Sequence, residues 1–254
     1  MKNLLFIIII ISIITSLSCK KNNKDNNFVY ENGAVVITFD DHYVDKWLMA
    51  DTVLHKYNWR ATFNLTLFNN LSEEKIQGLQ YLESRGHEIA GHGLNHENAI
   101  EYVKAHGLDS YLKNEVDSLT TLMNKKFNTV KSFAFPNGST NEEINTAMFS
   151  RFNILRGVAY DTLEPREQNC YFTGNHYIEA WGIDASYPHY SKALLTKLLE
   201  YAHKKNHILI LYAHRPTREV TIDYQVNITT LEFICKYVND NNMKFLTMAE
   251  LAEL

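Results

Sequence analysis

VVITFDDHY, residues 35–43, passes without a break from an apolar run into two adjacent aspartates. Val35, Val36, Ile37 and Thr38 are all β-branched, which favours an extended backbone, and Phe39 continues the run. The absence of polar alternation says that both faces of the strand are covered, as in a parallel sheet with helices outside it. Asp40 and Asp41 then stand where such a strand ends.

Working outward, comparable runs occur at 60–66, 87–92, 130–135, 153–159 and 207–213, with a further candidate at 243–247. Amphipathic segments near 44–57, 72–85, 97–126, 140–151, 190–205 and 225–241 separate them as helix candidates. Alternation of this kind predicts an α/β fold with a parallel sheet, open and doubly wound or closed as a barrel. Seven or so units favour the barrel. No internal repeat or biased linker divides residues 28–254, so one domain is expected there.

The first 27 residues read differently. MKNLLFIIIIISIITSLSC (1–19) has one lysine, an Ile-rich run and a small-residue end, which is the form of a secretory signal; an uncleaved membrane anchor is the alternative. SLSC resembles a bacterial lipobox, although Ser16 stands where leucine is usual. Residues 1–18 are therefore expected to be a lipoprotein-type signal peptide, Cys19 the lipidated residue, and 19–27 a polar tether. The expectation is an exported protein of the bacterial cell envelope, held to the membrane by a lipid anchor.

Composition narrows the function. A formal net charge of −4, with no basic stripe, argues against nucleic acid, and nothing implies a protein partner. Beyond Cys19 only Cys170 and Cys235 remain, without metal-ligand spacing; whether they pair is open.

In such folds functional groups gather at the C-terminal ends of the strands. The first run ends in Asp40 and Asp41, the run at 87–92 leads into GHGLNH with His92 and His96, 130–135 ends in FPNG, and 207–213 ends in LYAH with His214. Each has a plainer reading. Asp41 could cap the helix starting near Tyr43, FPNG is an ordinary turn signal, and with eleven histidines a pair four apart arises by chance, as His203 and His207 show. That second pair, however, flanks the start of a strand, on the opposite rim. Taken together, the sets describe a metal hydrolase. His92 and His96 can aim two imidazole nitrogens at one ion, and a carboxylate from a neighbouring strand completes a three-ligand set. Two aspartates then have two tasks: Asp41 holds the ion while Asp40, kept off it, takes a proton from water.

These residues resemble the motifs of the polysaccharide deacetylase family, the NodB-homology domain of carbohydrate esterase family four. TFDDH (38–42) is similar to its TFDDG motif, HGLNH (92–96) to its H-(S/T)-x-x-H motif, and LYAH (211–214) to its late leucine-x-x-histidine motif. The resemblance implies a distorted barrel of about seven βα units, with Asp40 as base, Asp41, His92 and His96 as metal ligands, and His214 as general acid. One divalent ion is implied, zinc first, with cobalt, nickel or iron compatible with the ligands.

There are departures. His42 replaces the usual glycine, Gly93 the usual hydroxyl residue, and Ala134 stands in FAFPNG where an arginine often orients the catalytic aspartate, leaving the partner of Asp40 unidentified. In EAWGID (179–184), Trp181 is a candidate wall for a sugar ring, with core packing as its alternative, and Asp184 is a candidate partner for His214. Amide hydrolysis needs oxyanion stabilisation, sought here in the loop of Pro136, Asn137 and Gly138. It also needs a proton for the departing nitrogen, a task suited to His214. The expected activity is N-deacetylation of an acetylated amino-sugar polymer or oligosaccharide. The alternatives are O-acetyl ester hydrolysis on a polysaccharide and a non-catalytic glycan-binding protein on the same fold. A sugar isomerase would place carboxylates on several more strand ends, a pattern not found.

Overall fold

The computed structural model describes residues 28–254; the leader, the tether and Cys19 lie outside the described residues. Its centre is β1 (Ala34–Asp41), buried from Ala34 to Asp40. After it come α1 (Val44–Leu54), β2 (Thr62–Leu65), α2 (Glu73–Ser84), β3 (Glu88–Gly91) and α3 (Ala99–His106). The chain continues through α4 (Leu108–Tyr111), a π-helical turn over Leu112–Asp117, α5 (Ser118–Met123), β4 (Ser132–Ala134), α6 (Glu142–Met148) and β5 (Ile154–Ala159). It finishes with β6 (Tyr177–Gly182), α7 (Lys192–Lys205), β7 (Ile208–Ala213), β8 (Arg215–Thr217), β9 (Gln225–Asn227), α8 (Ile228–Asp240), β10 (Lys244–Leu246) and α9 (Met248–Leu251).

Strands β1 to β7 pair in sequence order, all parallel, and β7 pairs back onto β1, closing a seven-stranded barrel. The expected (β/α)7-type barrel is therefore the observed fold. Its distortion has two visible causes. The β3–β4 seam is held by a single register pair, Gly91 with Phe133. Across from it, one edge of β1 is shared: Ala34, Val35 and Val36 pair with β10, whereas Thr38 to Asp41 pair with β2.

The period-two alternation of strand side chains sorts the core into two layers. Val35, Ile37 and Phe39 pack outward with Val44, Trp47 and the other helix residues. Ala34 and Val36 point inward with Ile154, Ile178, Ala180, Ile208 and Ile210. Asp40 shares the inward parity of Ala34 and Val36, so the pleat alone puts it inside the barrel mouth.

The helices start where short polar side chains can accept a backbone N–H. Ser72, Asn98, Asn141, Ser191 and Asn227 cap α2, α3, α6, α7 and α8. Two expectations need correction. The helix expected over 97–126 is interrupted at Gly107, whose φ of 84° leaves helical space, and again by the π-helical turn. Strand β6 was not among the sequence candidates, because half-buried Tyr177 and Glu179 break its apolar run. The segment at 243–247 is the additional strand β10, outside the seven-stranded cycle.

Cys170 and Cys235 are separate buried thiols, both with pKa values raised by burial. Among the described residues, no helix is long and apolar enough to cross a membrane.

Candidate active site

The C-terminal rim collects the residues read from the sequence. Asp40, Asp41, His92, His96, Asn137, Gly138 and His214 line one pocket of about 260 Å³, with Arg156, Val158, Tyr160, Tyr187, Tyr212 and Tyr224. Asp41 does not cap α1: Tyr43 occupies the N-cap and no side chain accepts there. Instead its φ of 82° bends the strand end, and its Oδ1 lies 3.3 Å from His96 Nε2 and 3.8 Å from His92 Nε2.

The donor set fits a divalent cation. Nitrogen and oxygen atoms from Asp41, His92 and His96 all lie within 4.8 Å of one another, and among the described residues no other cluster of three His, Cys, Asp or Glu side chains meets that condition. His92 Nδ1 donates to Ala134 O at 2.8 Å, which leaves the Nε2 lone pair facing Asp41. The loop between the two histidines is braced from the π-helical turn. Buried Glu115 accepts from Asn95 N at 2.9 Å and from Asn95 Nδ2 at 2.6 Å, and its own carbonyl accepts from Leu94 N at 3.0 Å. Gly93 fits this arrangement: its φ is 76°, and a Cβ there would meet Glu115 Oε2 at 3.2 Å.

Asp40 is only 3 % exposed. It accepts from Asn64 Nδ2 at 2.9 Å, and both of its oxygens accept from Arg156 Nη2. Arg156, on β5, is the partner that the sequence did not identify. It sits in register with Ala134 of β4, so the guanidinium is delivered from the strand beside the position where the motif arginine is missing. Its plane lies 5.1 Å from the Tyr212 ring centroid, and its Nε and Nη1 make no hydrogen bond to protein. The sequence held one signal for it: a lone charge in the otherwise apolar run NILRGVA.

On the far side of the pocket, His214 Nδ1 donates to Asp184 Oδ2 at 2.6 Å and His214 N donates to Asp184 Oδ1 at 3.2 Å. Asp184 is fully buried, so the suggested pairing is present and fixes both the ring tautomer and its direction.

The electrostatics follow from these contacts. Burial alone would raise the pKa of Asp40, but the charge of Arg156, with His92 and His214 adding to it, holds the carboxyl well below the usual carboxylate range. Burial likewise opposes the ionised form of Asp41, but the hydrogen bond with His96 and the charges of His92 and His214 together outweigh it, so its pKa is lowered. Burial brings His92 down to about 4, whereas the Asp41 hydrogen bond raises His96. His214 is also desolvated, yet the hydrogen bond and charge of Asp184 win and raise its pKa. The pocket thus holds an ionised carboxylate opposite an imidazole inclined to keep its proton.

Three expected roles change. Trp181 points outward from β6, is fully buried, and donates its indole N–H to Asp161 O at 3.0 Å; it packs the core and walls no pocket. Tyr160, Tyr187, Tyr212 and Tyr224 supply the aromatic walls instead. Pro136 is buried outside the pocket lining, and Gly138 gives its N–H to Phe135 O at 2.8 Å. Of the three loop residues, Asn137 is left as the backbone donor candidate. Gly138 is there for space: its φ is 66°, and a Cβ would lie 2.3 Å from Val158 Cγ2.

Fold and rim together give a NodB-like barrel whose pocket holds Asp40 and His214 beside an Asp-His-His donor cluster. The polysaccharide deacetylase family model matches residues 30–150, the segment that carries TFDDH and HGLNH, in agreement with the resemblance read from those motifs. Arg156, Asp184 and His214 lie beyond the matched segment and rest on the geometry above. No curated protein sequence matches the chain.

Among solved structures, the CE4 domain of a multidomain xylanase from the hindgut metagenome of Trinervitermes trinervoides aligns with a TM-score of 0.55 and 17 % identity, covering 87 % of this chain and 90 % of that one. A peptidoglycan deacetylase from Bacillus subtilis aligns at 0.53 and 15 %, covering 87 % and 90 %. A CE4 family pseudoenzyme from Bacillus anthracis aligns at 0.53 and 16 %, covering 87 % and 65 %. Similarity at this level shows the fold alone.

Proposed function

We propose that this protein is a metal-dependent hydrolase that removes N-acetyl groups from an acetylated amino-sugar polymer or oligosaccharide. The observation that carries the reading is the placement of a buried, ionised Asp40 and a proton-holding His214 in one pocket, with the Asp41, His92 and His96 donors lining it too. When bound to those three donors, a divalent cation, zinc first, supplies Lewis-acid chemistry: it acidifies water and polarises the acyl oxygen.

The rest falls to the chain. Arg156 and Asn64 hold Asp40 at the mouth of β1, where its carboxylate takes the proton of the attacking water. The backbone N–H of Asn137 is the protein's own donor for the developing oxyanion. Asp184 steadies His214, whose Nε2 then gives a proton to the departing nitrogen. An amine leaves poorly without that proton, and an ester alkoxide needs it less. This favours the amide over the O-acetyl ester.

Arg156 also weakens the binding-only alternative, whose best support was the missing arginine at Ala134. A scaffold has no use for a base clamped in the ionised state and an acid clamped in the protonated one. For location, the reading of Cys19 as a lipidated anchor in the cell envelope is part of the proposal; Cys19→Ser should release the full-length protein from membranes.

The deciding experiment is acetate release from chitin oligomers, β-1,6-linked N-acetylglucosamine, peptidoglycan and acetylated xylan, before and after chelation and metal restoration. Turnover of an amide-bearing glycan that chelation abolishes supports the proposal. Release only from xylan points to the esterase, and release from none, with glycan still bound, to a binding protein.

A further inference from the structure

The rim offers more than the catalytic pocket. Tyr160 and Tyr187, which wall that pocket, also wall a second groove of about 400 Å³ completed by Thr162, Pro188 and His189. The two spaces therefore adjoin, with the aromatic pair standing between them. Tyr160 follows the last residue of β5 and is 52 % exposed, although it is packed edge-on against Tyr187 at 6.1 Å and against His189 at 5.7 Å. Tyr187 and His189 stack at 5.1 Å and 20°. Buried His189 is anchored below, its Nε2 donating to Gly182 O at 3.2 Å. Tyr160 is thus an aromatic surface held open to solvent by ordered neighbours.

The groove's chemistry is selective. Its lining offers the rings of Tyr160 and Tyr187, the Thr162 side chain, the His189 imidazole and a proline edge, with no carboxylate, lysine or arginine among them. Burial lowers the pKa of His189, which keeps the imidazole neutral near pH 7. A pyranose ring matches such a wall: its C–H face stacks on an aromatic ring, and its hydroxyls meet the Thr162 side chain and solvent. A carboxylated sugar would lose water there and gain no cation in return.

We propose that this groove is a sugar subsite, seating a neutral pyranose that neighbours the residue whose acetyl group is in the catalytic pocket, and so selecting chains over single sugars. The proposal rests on the deacetylase reading of that pocket.

The test compares wild type, Tyr160→Ala and Tyr160→Phe on monomers and tetramers of N-acetylglucosamine and of acetylated xylose. Tyr160→Ala should lower the tetramer-to-monomer ratio of kcat/KM by about tenfold, the value of one lost ring contact. Tyr160→Phe should keep the ratio within about threefold. A general structural defect would slow both lengths alike and leave the ratio in place, which would overturn the proposal.

Calorimetric titration of the N-acetylglucosamine tetramer in an Asp40→Asn background reads the groove without turnover. A tenfold weaker Kd on adding Tyr160→Ala supports the subsite, and equal affinity, or no binding at all, overturns it. Should wild type release no acetate while this affinity difference persists, the deacetylase reading fails and the groove is a glycan-binding site only, which overturns its role in selecting chains for deacetylation.

Discussion

Arg156→Met isolates the buried ion pair between Arg156 and Asp40. In the wild type, Asp40 is 3 % exposed and its carboxylate is compensated by the fully buried guanidinium. Removing the cation leaves a buried negative charge with Asn64 as its remaining side-chain donor. Breaking a buried pair in this way costs about 3–5 kcal/mol, a large part of the roughly 5–15 kcal/mol that holds a domain folded. With a urea m-value of about 1–3 kcal/mol/M, the unfolding midpoint should fall by at least about 1 M.

The pH dependence supplies a signature. In the wild type the folded-state pKa of Asp40 lies below its unfolded value, so the pair's contribution is present above that unfolded value and is lost as pH falls through the folded one. In Arg156→Met the largest opposing cause is gone, so burial should outweigh the charges of His92 and His214 and lift the folded pKa above the unfolded one. Folding then takes up a proton, and the variant's deficit should shrink as the pH is lowered from 7 to 5. Adding Asp40→Asn removes the stranded charge while its amide oxygen still accepts from Asn64, so the double variant should recover most of the loss. An unchanged urea midpoint, or a double variant no more stable than Arg156→Met, would refute the assignment of Arg156 as the charge partner of Asp40.

The two aspartates should separate in metal analysis: Asp40→Asn keeps bound metal and lowers kcat by about a hundredfold or more, whereas Asp41→Asn loses metal and activity together. The wild-type fall of kcat/KM at high pH should report His214 above its ordinary value, because Asp184 favours the protonated ring; Asp184→Asn should move that limb to lower pH in a pH–rate profile. Gly138→Ala should reduce kcat/KM with little change in circular dichroism, since a Cβ 2.3 Å from Val158 Cγ2 displaces the loop that carries Asn137. Val158→Ala in the same chain should restore part of the loss, the remainder reflecting the positive φ.

The strand-end residues were legible in the sequence because position and chemistry coincide there. An apolar run that stops at a carboxylate or an imidazole identifies both the strand and its functional end, as at Asp40, Asp41, His92, His96 and His214. Arg156 was not legible as the partner of Asp40, since the two are joined by barrel closure and no spacing along the chain encodes it. The choice left open at Trp181 has a related cause. Once Tyr177–Gly182 is known to be a strand with Ile178 and Ala180 inside, its alternation sends Trp181 outward. The brace at Glu115 was hidden because a π-helical turn leaves no periodic mark in an amphipathic stretch.

The shared edge of β1 has a consequence for how the molecule is made. Ala34 pairs with Ile208 on one side and with Lys244 on the other, so the lower half of the strand that carries Asp40 finds its partners almost a full domain later in synthesis. Until β7 and β10 have emerged, the lower half of β1 offers two bare edges, with β-branched Val35 and Val36 between them. Pairings of such long range are slow to form, and the exposed strand is the segment at risk of joining another chain in the meantime. The barrel therefore closes late, when β7 pairs with β1, and β10 covers the remaining edge of that lower half last of all.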